Sequence, residues 1–485
     1  MGSILKIVDA EKGACARTPM LNVHQDGSGL GPEVFMGRAA VITLGCAKNQ
    51  VDSEVMLGVL RKKGYEIVTD LETADVAVVN TCGFLESAVK ESVDSILSVA
   101  EYKEKGRLRK LIVAGCLVER YRDDLKKSIP EVDSFISVDD ILKVGEAAGE
   151  AFGSELDRAA RPYFIYDDTM PRYLSTRSHT AYVKVSEGCD RPCTFCIIPK
   201  IRGAMRSRSI ESVAREVREL GAQGVREVNL VAQDLTSFGK DHKGGDLAAL
   251  LRRLDGDGAV DWVRLLYAYP IGIDAELLAA IVDSERVCNY LDLPLQHASE
   301  AVLKAMQRPL GRYSPRSIIE FIRTSAPAIK LRTTFIVGFP GETDADVAAL
   351  EDFIAAGHFS SVGIFTYSPE RGTPAHDMAA QVPAEVKEAR RERLMLAQQR
   401  VNEANLEALV GSTVEVMVEG EHEETDLLLT GRTRFQAPEV DGTVIINDIE
   451  GGGDDTVIPP GTIGRVEITE VAGYDIVGTF KHPIS

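Results

Sequence analysis

The sequence predicts a multidomain α/β protein. An N-terminal open parallel sheet is followed by a central partial (β/α)6 barrel and a small C-terminal antiparallel β-barrel. Three observations predict this. Between about residues 38 and 155, short β-branched runs alternate with helical patterns. From 180 to 400 a second alternation supplies six strand candidates. After 410 the pattern changes to short alternating strands, set apart by Gly-containing turns, with no helix between them.

Residues 1–37 are Gly-, Pro- and polar-rich without a sustained period, and read as a mobile arm carrying a bland free thiol, Cys15. In the first domain, 38–155, the runs Ala39–Leu44, Val76–Val79 and Leu111–Val113 are continuous, as fully buried parallel strands are. Helical patterns at 51–63, stopped by Gly64, and at 85–101 lie between them. That is a βαβαβ unit of a doubly wound sheet. Residues 156–177, with Pro162, Pro171 and several charges, read as a linker. The second alternation, 178–409, places strands at 181–186, 226–231, 262–267, 289–293, 331–337 and 361–367. Helical spacing such as Val213, Val217 and Leu220 separates them, and a long charged helix, 383–409, follows. Six units are too few to close an eight-stranded barrel. The terminal domain, 410–481, carries alternation at 414–418, near 443–446 and at 465–470.

A chain of 485 residues is long enough for several cores. No run of 18 or more apolar residues occurs, so no membrane span is expected. The first residues lack a basic region followed by an apolar core, so the expected location is cytoplasmic. Thiols stay reduced there, and eight cysteines then point to metal binding or catalysis before disulfides. The net charge of −19 argues against nucleic acid as the main partner and favours a basic one.

Cys46, Cys82 and Cys116 each follow a strand candidate, with Gly45, Gly83 and Gly115 beside them. The carboxyl ends of parallel strands lie along one edge, where ligands bind. Three cysteines therefore converge without a local motif. Three buried core thiols are the plain alternative. Three thiolates with one open iron would suit a cluster that takes an outside ligand. A second triad, Cys189, Cys193 and Cys196, has the spacing Cys-x3-Cys-x2-Cys with Phe195 before the last cysteine. It follows the first strand of the second domain. Structural zinc needs four ligands, and the histidines on offer are His179, before that strand, and the remote His297.

Cys-x3-Cys-x-Phe-Cys at the opening of a partial barrel resembles the radical S-adenosylmethionine superfamily. With a three-cysteine Rossmann-like domain before it and a small barrel similar to a TRAM domain after it, the chain resembles the methylthiotransferases. That resemblance implies two 4Fe-4S clusters, one on each triad, and S-adenosyl-L-methionine as cofactor. In that family the barrel cluster chelates S-adenosylmethionine and the first supplies or activates sulfur. It also implies an external electron donor and a sulfur donor. Tyr182–Cys189, Cys196–Pro199, Tyr290–Ser299 and Gln436–Gly442 resemble the RimO-type branch. That branch modifies the β-carbon of an aspartate in the twelfth protein of the small ribosomal subunit. The alternatives are the branch that modifies an adenosine of transfer RNA and, in another class, a scaffold holding structural iron–sulfur or zinc.

Residues 411–485 hold fifteen Asp and Glu against four Lys and Arg, a net of −11. Such a surface attracts a basic ribosomal protein and repels transfer RNA; a merely solubilising acidic surface is the bland reading. Gln436, Glu439 and Asp441 are the candidate substrate contacts. Phe195, Gln233, Asp234, Thr334 and Gly338, at or near strand ends of the second domain, are candidate cofactor contacts. His297 reads as a loop-holding residue and Cys288 as core. Because both triads lie upstream of 410, the terminal barrel reads as separable from cluster assembly and cofactor cleavage.

Overall fold

The computed structural model describes residues 35–149, 165–452 and 456–484. Cys15, most of the predicted arm and residues 156–164 of the predicted linker lie outside the described residues. The described residues form two compact units. The first takes in the chain to Thr176 with Tyr182–Asp190 and Cys196–Arg208. The second takes in Arg177–Ala181, Arg191–Phe195 and Ser209 onward.

In the first unit, β1 (Gly37–Thr43), β2 (Tyr65–Ile67), β3 (Val76–Thr81), β4 (Lys110–Gly115) and β5 (Ser134–Ile136) form one parallel sheet. Their order is β2-β1-β3-β4-β5, the doubly wound arrangement predicted. β1, β3 and β4 fall on predicted strands, whereas β2 and β5 lie outside them. Each missed strand has three residues, too short to show a period. Helices Ala47–Lys62, Glu86–Lys105 and Cys116–Ser128 follow β1, β3 and β4. Ala77, Val79, Leu111 and Val113 pack with Val93, Ile96 and Leu117 to make the core. The described part of 156–177 is not a loose tether. Arg172, nearly buried, donates Nε to Glu54 at 2.9 Å, and the backbone N–H of Ser175 reaches the same carboxylate at 3.1 Å.

The next strands are β6 (Thr180–Lys184), β7 (Ser186–Glu187), β8 (Arg206–Ser207), β9 (Glu227–Val231), β10 (Trp262–Leu265), β11 (Val287–Asp292), β12 (Lys330–Val337) and β13 (Ser361–Thr366). β7 and β8 form a two-stranded ribbon. The others make an open sheet in the order β13-β12-β11-β10-β9-β6, so each strand lies beside the next in sequence. Sequential parallel neighbours with intervening helices are the winding of a barrel left partly open. All six strand predictions fall on these strands. The helices start where capping chemistry puts them. Ser209, Asp246, Asp274, Ser314 and Thr343 each accept the backbone N–H three residues on. Each such cap stabilises its helix by about 1 kcal/mol.

The long helix Ala384–Glu407 leads to β14 (Thr413–His422), β15 (Thr425–Thr433), β16 (Val444–Ile449), β17 (Ile463–Ala472) and β18 (Asp475–Pro483). They close into a barrel in the order β14-β15-β16-β18-β17 around Val416, Val418, Val444, Ile446, Val466, Ile468 and Phe480. β15 and β18 lie outside the predicted alternating runs. Leu427, Leu428 and Leu429 interrupt the alternation of one, and Gly478 thins the apolar face of the other.

Buried bonds join the terminal barrel to the second sheet, a joint that the sequence pattern does not show. Glu227, at the start of β9, is fully buried and bonds Arg264 of β10 at 2.8 Å and Arg432 of β15 at 2.5 Å. Arg432 continues to Glu419 at 2.7 Å. Arg264 donates to the carbonyl of Arg434 at 2.8 Å, and the Tyr290 hydroxyl to Asp441 at 2.7 Å.

Candidate functional site

The three N-terminal cysteines lie at one sheet edge. Cys46 precedes the helix Ala47–Lys62, Cys82 directly follows β3, and Cys116 opens the helix after β4. β1, β3 and β4 are adjacent, and the gap between β1 and β3 is where the strand order reverses, the usual ligand crevice of such sheets. Asn49 ties the edge together. Its Nδ2 donates to the carbonyls of Leu44 at 2.8 Å and Thr81 at 3.1 Å, just before two of the cysteines. Gly45 and Gly115 have φ of +95° and +97°. A Cβ on Gly45 would come within 2.8 Å of the Cys82 Cβ, and one on Gly115 within 2.4 Å of Asn80 Oδ1. Gly115→Ala should therefore cost more than about 1 kcal/mol. It should also lower the iron bound after anaerobic reconstitution; a denaturant midpoint and iron content equal to the parent's would refute this.

The thiols differ electrostatically. Burial pushes Cys82 up to about 12, helped by the charges of Cys116 and Cys46, while a backbone bond from Phe84 opposes the rise. Burial also raises Cys116, against the Arg202 guanidinium beside it. At Cys46 burial is outweighed by Lys48, Arg202 and the backbone N–H groups of Asn49 and Lys48, so the thiol falls below its usual value.

The second triad sits in its own surroundings. Cys189 donates its backbone N–H to the carbonyl of Gly203 at 3.1 Å. Ile197 and Ile201, just after Cys196, pack with Cys116 and Val138. In the second unit, Arg308 Nη1 lies 3.8 Å from Cys193 Sγ. The guanidinia of Arg308 and Arg191 each lie 4.2 Å from the Tyr269 ring centre. Burial raises the Tyr269 phenol to about 12, with Arg308 opposing and Cys193 adding to the rise. Thr194 fixes the loop through the carbonyl of Ala305 at 2.9 Å, and Phe195 packs against Val302, Met306, Phe339 and Tyr367.

Among the described residues, no three His, Cys, Asp or Glu side chains close on the position of a single metal ion. The fit to a larger group rests on donor chemistry and space. Thiols are the donors iron–sulfur clusters use. At the first edge the glycines keep side-chain bulk away, and in the second triad a cationic donor, Arg308, stands beside Cys193.

The other candidate residues are placed as follows. Asp234 is buried and accepts from Arg191 Nε, Thr236 Oγ1 and Ser237 Oγ, each at 2.7 Å. It holds Arg191 in place. Gln233 precedes it, just past the end of β9. Thr334 lies in β12 beside Arg332. The Gly338 N–H is already given to the buried Glu342 carboxylate at 2.9 Å. His297 accepts the Ser299 N–H at 2.9 Å and so holds its loop, and Cys288 is core. Gln436 is buried with Oε1 on the Thr433 N–H, and Asp441 accepts from Tyr290 and Ala437, whereas Glu439 is exposed. Sequence reasoning missed Asn49, Arg202, Arg308 and Tyr269. Asn49, three residues after Cys46, could have been found by asking what clamps that strand end. The other three meet their thiols only through the fold.

Three family models match the chain: the uncharacterized protein family UPF0004 over residues 38–137, the Radical SAM superfamily over 183–354 and the TRAM domain over 410–480. A solved radical S-adenosylmethionine methyltransferase, TsrM from Kitasatospora setae, shares the fold at TM-score 0.51 and 15% identity. The match covers 70% of this chain and 77% of that one. Ribosomal protein uS12 methylthiotransferase RimO of Anaeromyxobacter sp. (strain K) is 47% identical, over 91% of this chain and 92% of its own length. The proteins of the same name from Syntrophotalea carbinolica and Geobacter sulfurreducens are 46% and 44% identical, over 91% of this chain and 96% and 98% of theirs. With two cysteine triads on two parallel sheets, a closed terminal barrel and identity of this extent, the chain belongs to the RimO family of ribosomal protein uS12 methylthiotransferases.

Proposed function

We propose that this protein is a radical S-adenosylmethionine methylthiotransferase that places a methylthio group on the β-carbon of an aspartate of ribosomal protein uS12. The observation that carries the reading is 44–47% identity across about nine-tenths of the chain to proteins of that name. In this reading Cys189, Cys193 and Cys196 hold one 4Fe-4S cluster and Cys46, Cys82 and Cys116 a second. When bound, the groups supply reductive cleavage of S-adenosylmethionine, hydrogen abstraction from an unactivated carbon, and sulfur and methyl delivery. The chain's own residues do the rest. Arg308 and Tyr269 set the charge and hydrogen bonding around Cys193. Asp234 orients Arg191, and Phe195 with its apolar neighbours keeps water from one side of the loop. An electron donor and a sulfur donor come from outside. A ribosomal protein as substrate fits a cytoplasmic location, and among the described residues no helix is long and apolar enough to cross a membrane.

The transfer-RNA branch is disfavoured by the net of −11 over 411–485. The exposed part of that charge, which includes Glu421, Glu423, Glu424, Asp426 and Glu439, suits a basic protein. Attraction through exposed charges is screened over about 8 Å in physiological salt. Binding of uS12 should therefore weaken as salt rises, mainly through slower association. The deciding measurement is mass spectrometry of uS12 and of transfer RNA from cells lacking and regaining this protein. The expected result is a methylthio gain on uS12 alone; a gain on transfer RNA alone would assign the chain to the other branch. Purified protein given dithionite and S-adenosylmethionine should release 5′-deoxyadenosine, which a structural-metal scaffold would not.

A further inference from the structure

Four charged side chains are buried together in the first unit: Asp52, Lys184, Glu187 and Arg202. Buried charge is costly unless paired. Here two cations meet two carboxylates. Lys184 reaches both Asp52 and Glu187, and Arg202 Nη1 reaches Asp52 at 3.1 Å and Glu187 at 2.9 Å. The set would balance with nothing added, yet Arg202 turns its other nitrogen elsewhere. Nη2 lies 2.6 Å from Asn49 Oδ1 and 3.4 Å from Cys116 Sγ. Asn49 is the side chain that clamps the carbonyls of Leu44 and Thr81. Arg202 thus touches one cysteine of the first triad and braces the strand ends carrying the other two. It is also tied to the second triad in sequence. It lies six residues after Cys196, and its partner Glu187 lies two before Cys189.

We infer that Arg202 is a positioning residue for the N-terminal three-cysteine site, and that its fixed positive charge and sulfur hydrogen bond raise the reduction potential of the group held there. The inference rests on the reading that this triad holds an iron–sulfur cluster. A hydrogen bond and a cation at a ligand sulfur both favour the state with one more electron. The carboxylates bond the other nitrogen and leave the bond to Cys116 in place.

The test uses the full chain with Cys189, Cys193 and Cys196 changed to alanine, so that only the first site contributes. It is reconstituted anaerobically, and its midpoint is read by electron paramagnetic resonance during reductive titration. Arg202→Lys should keep its iron and shift the midpoint to more negative potential. In a charge-balanced series, Asp52→Asn should shift it to more positive potential, and adding Arg202→Gln should bring it back below the single variant. Iron retained with an unchanged midpoint in Arg202→Lys overturns the inference. So does equality of Asp52→Asn with and without Arg202→Gln, which decides the matter if the lysine variant does not fold. A parent protein that binds no iron overturns the first-site reading itself, and this inference with it.

Discussion

Replacing Cys189, Cys193 and Cys196 together by alanine is expected to abolish cleavage of S-adenosylmethionine and to leave about four of about eight irons per chain. The same change at Cys46, Cys82 and Cys116 should remove the other half of the iron and all methylthiolation, while some 5′-deoxyadenosine still forms. The asymmetry follows from surroundings. The second triad lies in the Radical SAM match and has Arg308 and Tyr269 at Cys193. The first lies at the switch point of a different sheet, in the UPF0004 match. The fold should survive the change at Cys189, Cys193 and Cys196, because Thr194 is held by the carbonyl of Ala305 and Arg308 stays stacked on Tyr269. Iron assay and chromatography of 5′-deoxyadenosine check both variants. Full iron and full thiolation in the N-terminal variant would mean that the first triad holds no cluster.

Much of this organisation is legible along the chain. The long buried strands β1, β3, β4 and β9 to β13 announce themselves as continuous or alternating apolar runs, and the three N-terminal cysteines stand just beyond strand ends. The three-residue strands β2 and β5 do not, because pairing to a neighbour rather than any local pattern makes them strands. The thiol surroundings are hidden for a related reason. Asn49 and Arg202 are 153 residues apart and meet only in the fold, and Arg308 lies 115 residues from Cys193. The segment Gln436–Gly442 shows the opposite hazard. Its resemblance to a branch suggested substrate contacts, yet Gln436 and Asp441 are bonded inward, to Thr433 and to Tyr290 and Ala437.

Arg432→Met is expected to destabilise the second unit by about 3–5 kcal/mol, the cost of leaving a buried charge without its partner. Glu227 would keep Arg264 but lose its 2.5 Å bond, and Glu419 would lose one too. Removing residues 411–485 goes further. It takes away Arg432, the Arg434 carbonyl that receives Arg264 and the Asp441 carboxylate that receives Tyr290. It also bares Trp262, whose indole N–H donates to Glu415 at 3.1 Å. Such a truncation should lose cluster content along with activity. A truncated chain that keeps its iron and cleaves S-adenosylmethionine at the parent rate would show that the sheet stands without the barrel. The joint also carries a pH signature. Burial opposes the charge on Glu227, but Arg432 and Arg264 hold its carboxyl at about 2, below the ordinary 4.5. Glu419 is likewise held at about 2, with burial opposed chiefly by His179 and Arg432. A carboxyl depressed in the folded state adds stability that is complete above its unfolded value and is lost as pH falls through its folded one. Between about pH 7 and 5 the joint should therefore hold at constant strength. Between about 4.5 and 2 the parent should lose stability faster than Arg432→Met, because the variant has already forfeited the bond that protonation breaks. Thermal melts of both proteins across that range measure the difference, and parallel curves would mean that the buried pair does not hold the barrel in place.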